Sequence, residues 1–105
     1  MNGGTMYSKG DIVLIQFPFS DLINAKKRPM VVLAVKGEDI VGCAITSNPD
    51  SDGVPLPDGL LPLQSKIKHW QIHTFLDSLA LKKVAKLPPK THKELLEKIN
   101  SFFSI

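Results

Sequence analysis

Three short apolar runs, at residues 11–17, 30–35 and 40–46, are joined by segments that leave no room for a helix of useful length. The first is Asp11-Ile12-Val13-Leu14-Ile15-Gln16-Phe17, rich in β-branched residues and too short for a typical helix. Pro18 ends it. A partly polar hairpin loop then leads to Lys27, and only Lys36-Gly37-Glu38-Asp39 separates the second run from the third. Parallel strands need a crossover of a dozen or more residues, usually helical, so these three are expected to pair antiparallel as a meander. Pro29 lacks an N–H and is expected at the first position of the second strand.

The remainder carries weaker signals. Residues 47–64 are loop-rich, with Val54-Pro55-Leu56 expected as a short edge strand. Lys66-Ile67-Lys68-His69-Trp70-Gln71-Ile72 alternates polar and apolar at period two, which turns Ile67 inward. Asp77 or Ser78 is placed to cap a helical turn over residues 79–81, before a short strand at 83–87. Pro88-Pro89 breaks the chain. Thr91 with Glu94 three residues on forms a capping box, followed by Leu95, Leu96, Ile99, Phe102 and Phe103 on one helical face. The expectation is a mainly β, α+β domain: strands first, short helices, and one amphipathic helix at the end. At 105 residues the chain holds one core, read as a domain at 9–105 after a flexible stretch at 1–8.

Charge is distributed unevenly between the two strong bases. Twelve lysines accompany a single arginine, Arg28, which stands before the second apolar run. Either residue serves where only positive charge is needed. Arginine differs where a planar, always-protonated fork must grip a phosphate. The net charge of +3 permits a polyanionic partner. The single Cys43 excludes an internal disulfide and a multi-cysteine metal site, and its apolar surroundings read as those of a buried, inert thiol. No apolar run is long enough to span a membrane, and no signal-peptide core is present, so the expected setting is cytoplasmic. There is no glycine-rich phosphate loop. His69 and His73 are four apart, a metal spacing on a helix, but they lie in strand-like sequence; no metal and no cofactor are expected.

The order of these pieces is informative. Gly10-Asp11-Ile12-Val13-Leu14, Phe17-Pro18-Phe19-Ser20-Asp21-Leu22, Lys27-Arg28-Pro29 before an apolar strand, and Ala44-Ile45-Thr46-Ser47 closing another resemble the MazF/PemK toxins of type II toxin–antitoxin systems. The resemblance extends to Ser65 ahead of a basic strand, to Thr74-Phe75-Leu76-Asp77, and to the C-terminal helix. It implies a small, strongly curved SH3-like antiparallel barrel with a C-terminal helix, usually a homodimer. It also implies metal-independent cleavage of single-stranded RNA, with the ribose 2′-hydroxyl as nucleophile and a 2′,3′-cyclic phosphate as product. Matching residue by residue, it makes Arg28 and Thr46 the catalytic pair. Lys26, Lys27, Ser47, Ser65, Lys68, His69, Trp70 and His73 are the expected RNA contacts. A cognate antitoxin is the expected partner.

The chain departs from the family in one place. Some members carry an arginine in the basic strand and an acid two residues later; here Lys68 and Trp70 occupy those positions. That leaves the general base open, with His69 and His73 as natural replacements because imidazole titrates near neutrality. Trp70 fits either stacking on an unpaired base or burial in the core or a dimer interface. Two other readings stay open from sequence. One is a CcdB-like gyrase poison without nuclease chemistry, disfavoured by retention of Arg28 and Thr46. The other is an inactive member that only binds nucleic acid or antitoxin.

Overall fold

The computed structural model describes residues 6–17 and 26–104. Residues 1–5 of the expected flexible stretch 1–8, and residues 19–25 of the expected hairpin loop 19–27, lie outside them. Six strands precede one helix: β1 (Asp11–Phe17), β2 (Lys26–Lys36), β3 (Asp39–Thr46), β4 (Val54–Pro55), β5 (Lys66–Leu76) and β6 (Ala80–Lys86), then α1 (Pro89–Phe103). They form one antiparallel sheet in the order β4-β5-β3-β2-β1-β6. The expected meander is β1, β2 and β3, and β5 extends it; β4 edges one side, and β6 returns to pair with β1 on the other. The sheet is open, since β4 and β6 do not meet.

Alternation along the strands sorts the core into two faces. Ile12, Val31, Cys43, Ile45, Ile67 and Leu95 belong to one buried cluster, and Val13, Ile15, Met30, Val32 and Ile40 to the other. Neighbours in sequence, such as Ile12 and Val13, fall in different clusters because successive side chains of a strand point to opposite faces. Ile67 is fully buried, as its alternation predicts. Burial pushes the Cys43 thiol up to about 12, which keeps it protonated.

Bulges bend the sheet. Register shifts interrupt β1–β6, β2–β3 and β3–β5, and each one twists and re-aims the strand that carries the extra residues. The β3–β5 shift is the largest: Ile45 pairs with Ile67 and Cys43 with Ile72, so residues 68–71 all stand opposite Ala44. At the β2–β3 shift, a Cβ on Gly42 would lie 2.6 Å from the Val31 carbonyl oxygen, so only glycine allows the two backbones to approach there.

Several local expectations are corrected. Pro29 lies inside β2, three residues after its start, and pairs with Leu14 of β1. It is tolerated because the β3 ladder begins only at Met30, leaving that side of Pro29 without a hydrogen-bonding strand. The turn before β6 is a single 3₁₀ turn, Asp77–Leu79, and β6 starts at Ala80, where a helix was expected to continue. Thr91 is not a cap. Helix α1 starts two residues earlier, with Pro88 as the cap and Pro89 at the first helical position, where a missing N–H costs nothing and φ is already set. Of the apolar face expected on α1, Leu95 is buried, but Leu96, Phe102 and Phe103 are largely exposed.

Candidate functional site

The Arg-Pro and Ile-Thr-Ser sequences end two neighbouring strands on the same side of the sheet. The β2–β3 ladder closes at Met30–Ala44; two residues further along each strand come Arg28 and Thr46. Both line an open cleft of about 780 Å³, together with Lys27, Ser47, Ser65 and a residue not anticipated from sequence, Lys82 of β6. The apolar floor and wall come from Leu14, Pro29, Ile45 and residues 60–63. Strands thus fix the polar groups, while the loop after β4 supplies a greasy bank beside them.

Each polar group has a defined condition. The Thr46 Oγ1 accepts the backbone N–H of Asn48 at 3.1 Å, which orients the hydroxyl and leaves its proton to donate elsewhere. Asn48 in turn accepts the Asp50 N–H at 3.0 Å, so the turn after β3 is internally braced. Lys66, opposite Thr46 on β5, donates to the Pro49 and Ser51 carbonyls at 3.1 and 2.8 Å and ties that turn to the sheet. Ser65 is buried, and its hydroxyl donates to the Leu63 carbonyl at 2.8 Å, so it shapes the cleft wall. Arg28 and Lys27 are exposed. Among the described residues neither forms a salt bridge; both ion pairs there belong to Asp11. No carboxylate or imidazole occurs among the described residues lining the cleft.

The remaining expected contacts sit elsewhere. His69 does not line the cleft; it is buried, with its ring edge-on to Trp70 at 5.2 Å and to Phe102 of α1 at 5.9 Å. The wide bulge at residues 68–71 turns it under the helix, away from Arg28. Lys68 and Trp70 are half-buried on the same bulge, and His73 is exposed further along β5; none of the three borders the cleft. Lys26 starts β2 beside Lys27. Among the described residues, no group of three or more His, Cys, Asp or Glu side chains is placed to hold a metal ion. No helix among them is long and apolar enough to cross a membrane.

Lys82 escaped the sequence reading because two bulges govern where it points. Strand β6 pairs Ala80 with Ile15, Lys82 with Leu14, Lys83 with Val13 and Ala85 with Ile12, so Leu81 and Val84 are supernumerary. The extra Leu81 breaks the i, i+2 rule: Ala80 packs on the second core cluster, yet Lys82 faces the cleft.

An open antiparallel sheet with a C-terminal helix carries a cationic cleft at the ends of β2 and β3. Over residues 8–103 the chain matches the PemK-like, MazF-like toxins of type II toxin–antitoxin systems, and it belongs to that family. No curated protein sequence matches it. Its fold is similar to the MazF crystal structure (form I) from Deinococcus radiodurans, with a TM-score of 0.75, 20% identity, and 96% of this chain and 99% of that one covered. It is similar to the MazE-MazF structure (form II) from the same organism, with a TM-score of 0.80, 20% identity and coverages of 93% and 96%. A mycobacterial endoribonuclease in complex with its cognate antitoxin superposes with a TM-score of 0.71 at 11% identity, covering 90% and 92%.

Proposed function

We propose that the chain is an endoribonuclease toxin that cleaves single-stranded RNA in this cleft without a metal ion. The observation that carries the reading is that Arg28, exposed and without a carboxylate partner among the described residues, shares one cleft with the oriented hydroxyl of Thr46 at the ends of adjacent strands. In the proposed step the ribose 2′-oxygen attacks the neighbouring phosphorus in line. The bond from phosphorus to the 5′-oxygen breaks, the 2′-hydroxyl loses its proton, and the departing 5′-oxygen gains one. The products are a 2′,3′-cyclic phosphate and a 5′-hydroxyl. Charge builds on the non-bridging oxygens during this step. A guanidinium held against them, with the Thr46 O–H as a second donor, favours the transition state over the ground state.

The same reading includes two protein partners. A homodimer would cover the exposed Leu96, Phe102 and Phe103 of α1, an apolar strip unusual for a free surface. An antitoxin, as in the mycobacterial complex, would place acidic side chains against Arg28 and Lys27 in competition with RNA. The setting is then cytoplasmic, where messenger RNA is found. The test is incubation with a long single-stranded RNA in the presence of chelator, with analysis of product ends. Fragments ending in 2′,3′-cyclic phosphate, lost on Arg28→Ala, are expected; intact RNA, or cleavage strictly dependent on Mg²⁺, would overturn the reading.

A further inference from the structure

We infer that Lys66 is a positioning residue for Thr46: its ammonium holds the turn whose backbone orients the Thr46 hydroxyl. The inference rests on the nuclease reading of the cleft and deepens it, since a lysine outside the cleft then governs a donor inside it.

Thr46 ends β3, and its hydroxyl is aimed by the residues that follow. The Oγ1 accepts the Asn48 N–H at 3.1 Å. Asn48 is held in turn by short-range bonds: its carbonyl accepts the Ser51 N–H at 3.1 Å, and its side-chain oxygen accepts the Asp50 N–H at 3.0 Å. Residues 47–50 are exposed, so water competes for each of these bonds. Among the described residues, the hydrogen bonds from residues 47–52 to another element are the two that Lys66 donates, to the Pro49 carbonyl at 3.1 Å and the Ser51 carbonyl at 2.8 Å.

The place of Lys66 in the sheet explains its reach. Its backbone stands opposite Thr46 of β3 on one side and opposite Pro55 of β4 on the other. The side chain therefore starts between the end of β3 and the start of β4, the two strands that residues 47–53 connect. An ammonium is a compact charge with three donors on a flexible stem, so it can serve two diverging carbonyls, and both bonds are charge-assisted. Lys66 is half-buried and, unlike Lys27, Arg28 and Lys82, does not line the cleft. Two of its three donors are engaged by its own chain. Without that tether the turn can swing, and the Asn48 N–H no longer fixes one orientation of the Thr46 hydroxyl. A donor that must meet a phosphate oxygen as charge develops there is sensitive to displacements on the order of 1 Å.

The test compares wild type with Lys66→Met, which keeps the stem and removes the donors. Amide exchange followed by NMR needs no catalysis: in Lys66→Met the Asn48 and Ser51 amides should exchange at least about tenfold faster, while the Cys43 amide inside β3 keeps the wild-type rate. In cleavage of one long single-stranded RNA in chelator, Lys66→Met should lower kcat by roughly three- to tenfold, up to the share of the Thr46 donor, with KM unchanged. In a Thr46→Ala background the same substitution should cost nothing further. Unchanged exchange at Asn48 would overturn the proposal, as would a wild-type kcat, or an equal loss with and without the Thr46 hydroxyl. So would a raised KM together with a salt dependence of RNA affinity flattened by about 0.7, which would make Lys66 an RNA-backbone contact. Wild-type protein that leaves the RNA intact would overturn the nuclease reading instead; faster Asn48 exchange in Lys66→Met would then leave the tether standing and remove only the chemistry it serves.

Discussion

Two groups of basic side chains flank strand β1, and they differ in what they face. At its first residue, Lys83 and Lys86 converge on the buried carboxylate of Asp11, whose second oxygen accepts the Ser8 N–H at 2.9 Å. Near its other end, Lys27, Arg28 and Lys82 gather around a cleft whose described lining has no carboxylate. The first group closes on an acid of its own protein and fastens the chain before β1 to strand β6. Among the described residues the second group has no acid closing on it. Residue type is nearly the same in both. Among the described residues, one acid sets the two groups apart.

Substitutions at the two ends should therefore fail in different ways. The largest effect is expected at Arg28: Arg28→Ala should lower RNA cleavage by roughly 10²–10³-fold, the loss seen when a preorganised transition-state donor is removed. Arg28→Lys should lose most of that activity too, since charge remains while the planar fork is gone. Neither should shift the thermal midpoint, which calorimetry would check. Thr46→Ala removes one neutral donor and should cost about tenfold in rate, about 1.4 kcal/mol. Its circular dichroism spectrum should match the wild type.

At the other end the readouts exchange. Asp11→Asn should leave cleavage per folded molecule unchanged while destabilising by about 2 kcal/mol, because the neutral amide offers one acceptor oxygen, where the carboxylate offered two and a charge, to the Ser8 N–H and two ammonium groups. The sign of its pH dependence follows from the site. Burial alone would raise the Asp11 pKa, but the Ser8 N–H and the ammonium groups of Lys86 and Lys83 outweigh it and hold the carboxyl below its ordinary value of 3.8. The associated stability is present above that ordinary value and is lost as pH falls through the lower folded one. Urea melts should show wild type and Asp11→Asn converging below pH of about 4. The smallest effect belongs to Lys83→Ala, under about 1 kcal/mol, since its ammonium is half exposed and Lys86 still serves Asp11.

The same contrast explains what the sequence could reveal. Strand β1 is legible to the residue because β-branching, the shortness of the run and Pro18 all agree. Arg28 and Thr46 are legible because both sit at strand ends, next to residues with strong positional meaning. Helix α1 begins earlier than its Thr91–Glu94 pattern suggests, since Pro89 supplies a better start than a side-chain cap. The failures cluster at bulges. Period-two reading treats residues 66–72 as one regular strand, whereas four of them stand opposite Ala44 and His69 turns under α1. Lys82, Lys83 and Lys86 look interchangeable as letters; only the two extra residues in β6 decide which faces Asp11 and which faces the cleft. A bulge leaves little mark in composition beyond exposed apolar residues such as Leu81 and Val84.

The most direct test pairs the two ends in one assay. Cleavage of a long single-stranded RNA would be timed in chelator for wild type, Arg28→Ala and Asp11→Asn, at a temperature where all three are folded. The account predicts equal rates for wild type and Asp11→Asn, and a loss of roughly 10²–10³-fold for Arg28→Ala. Cleavage by Arg28→Ala at the wild-type rate would contradict it, as would an Asp11→Asn protein that is fully folded yet inactive.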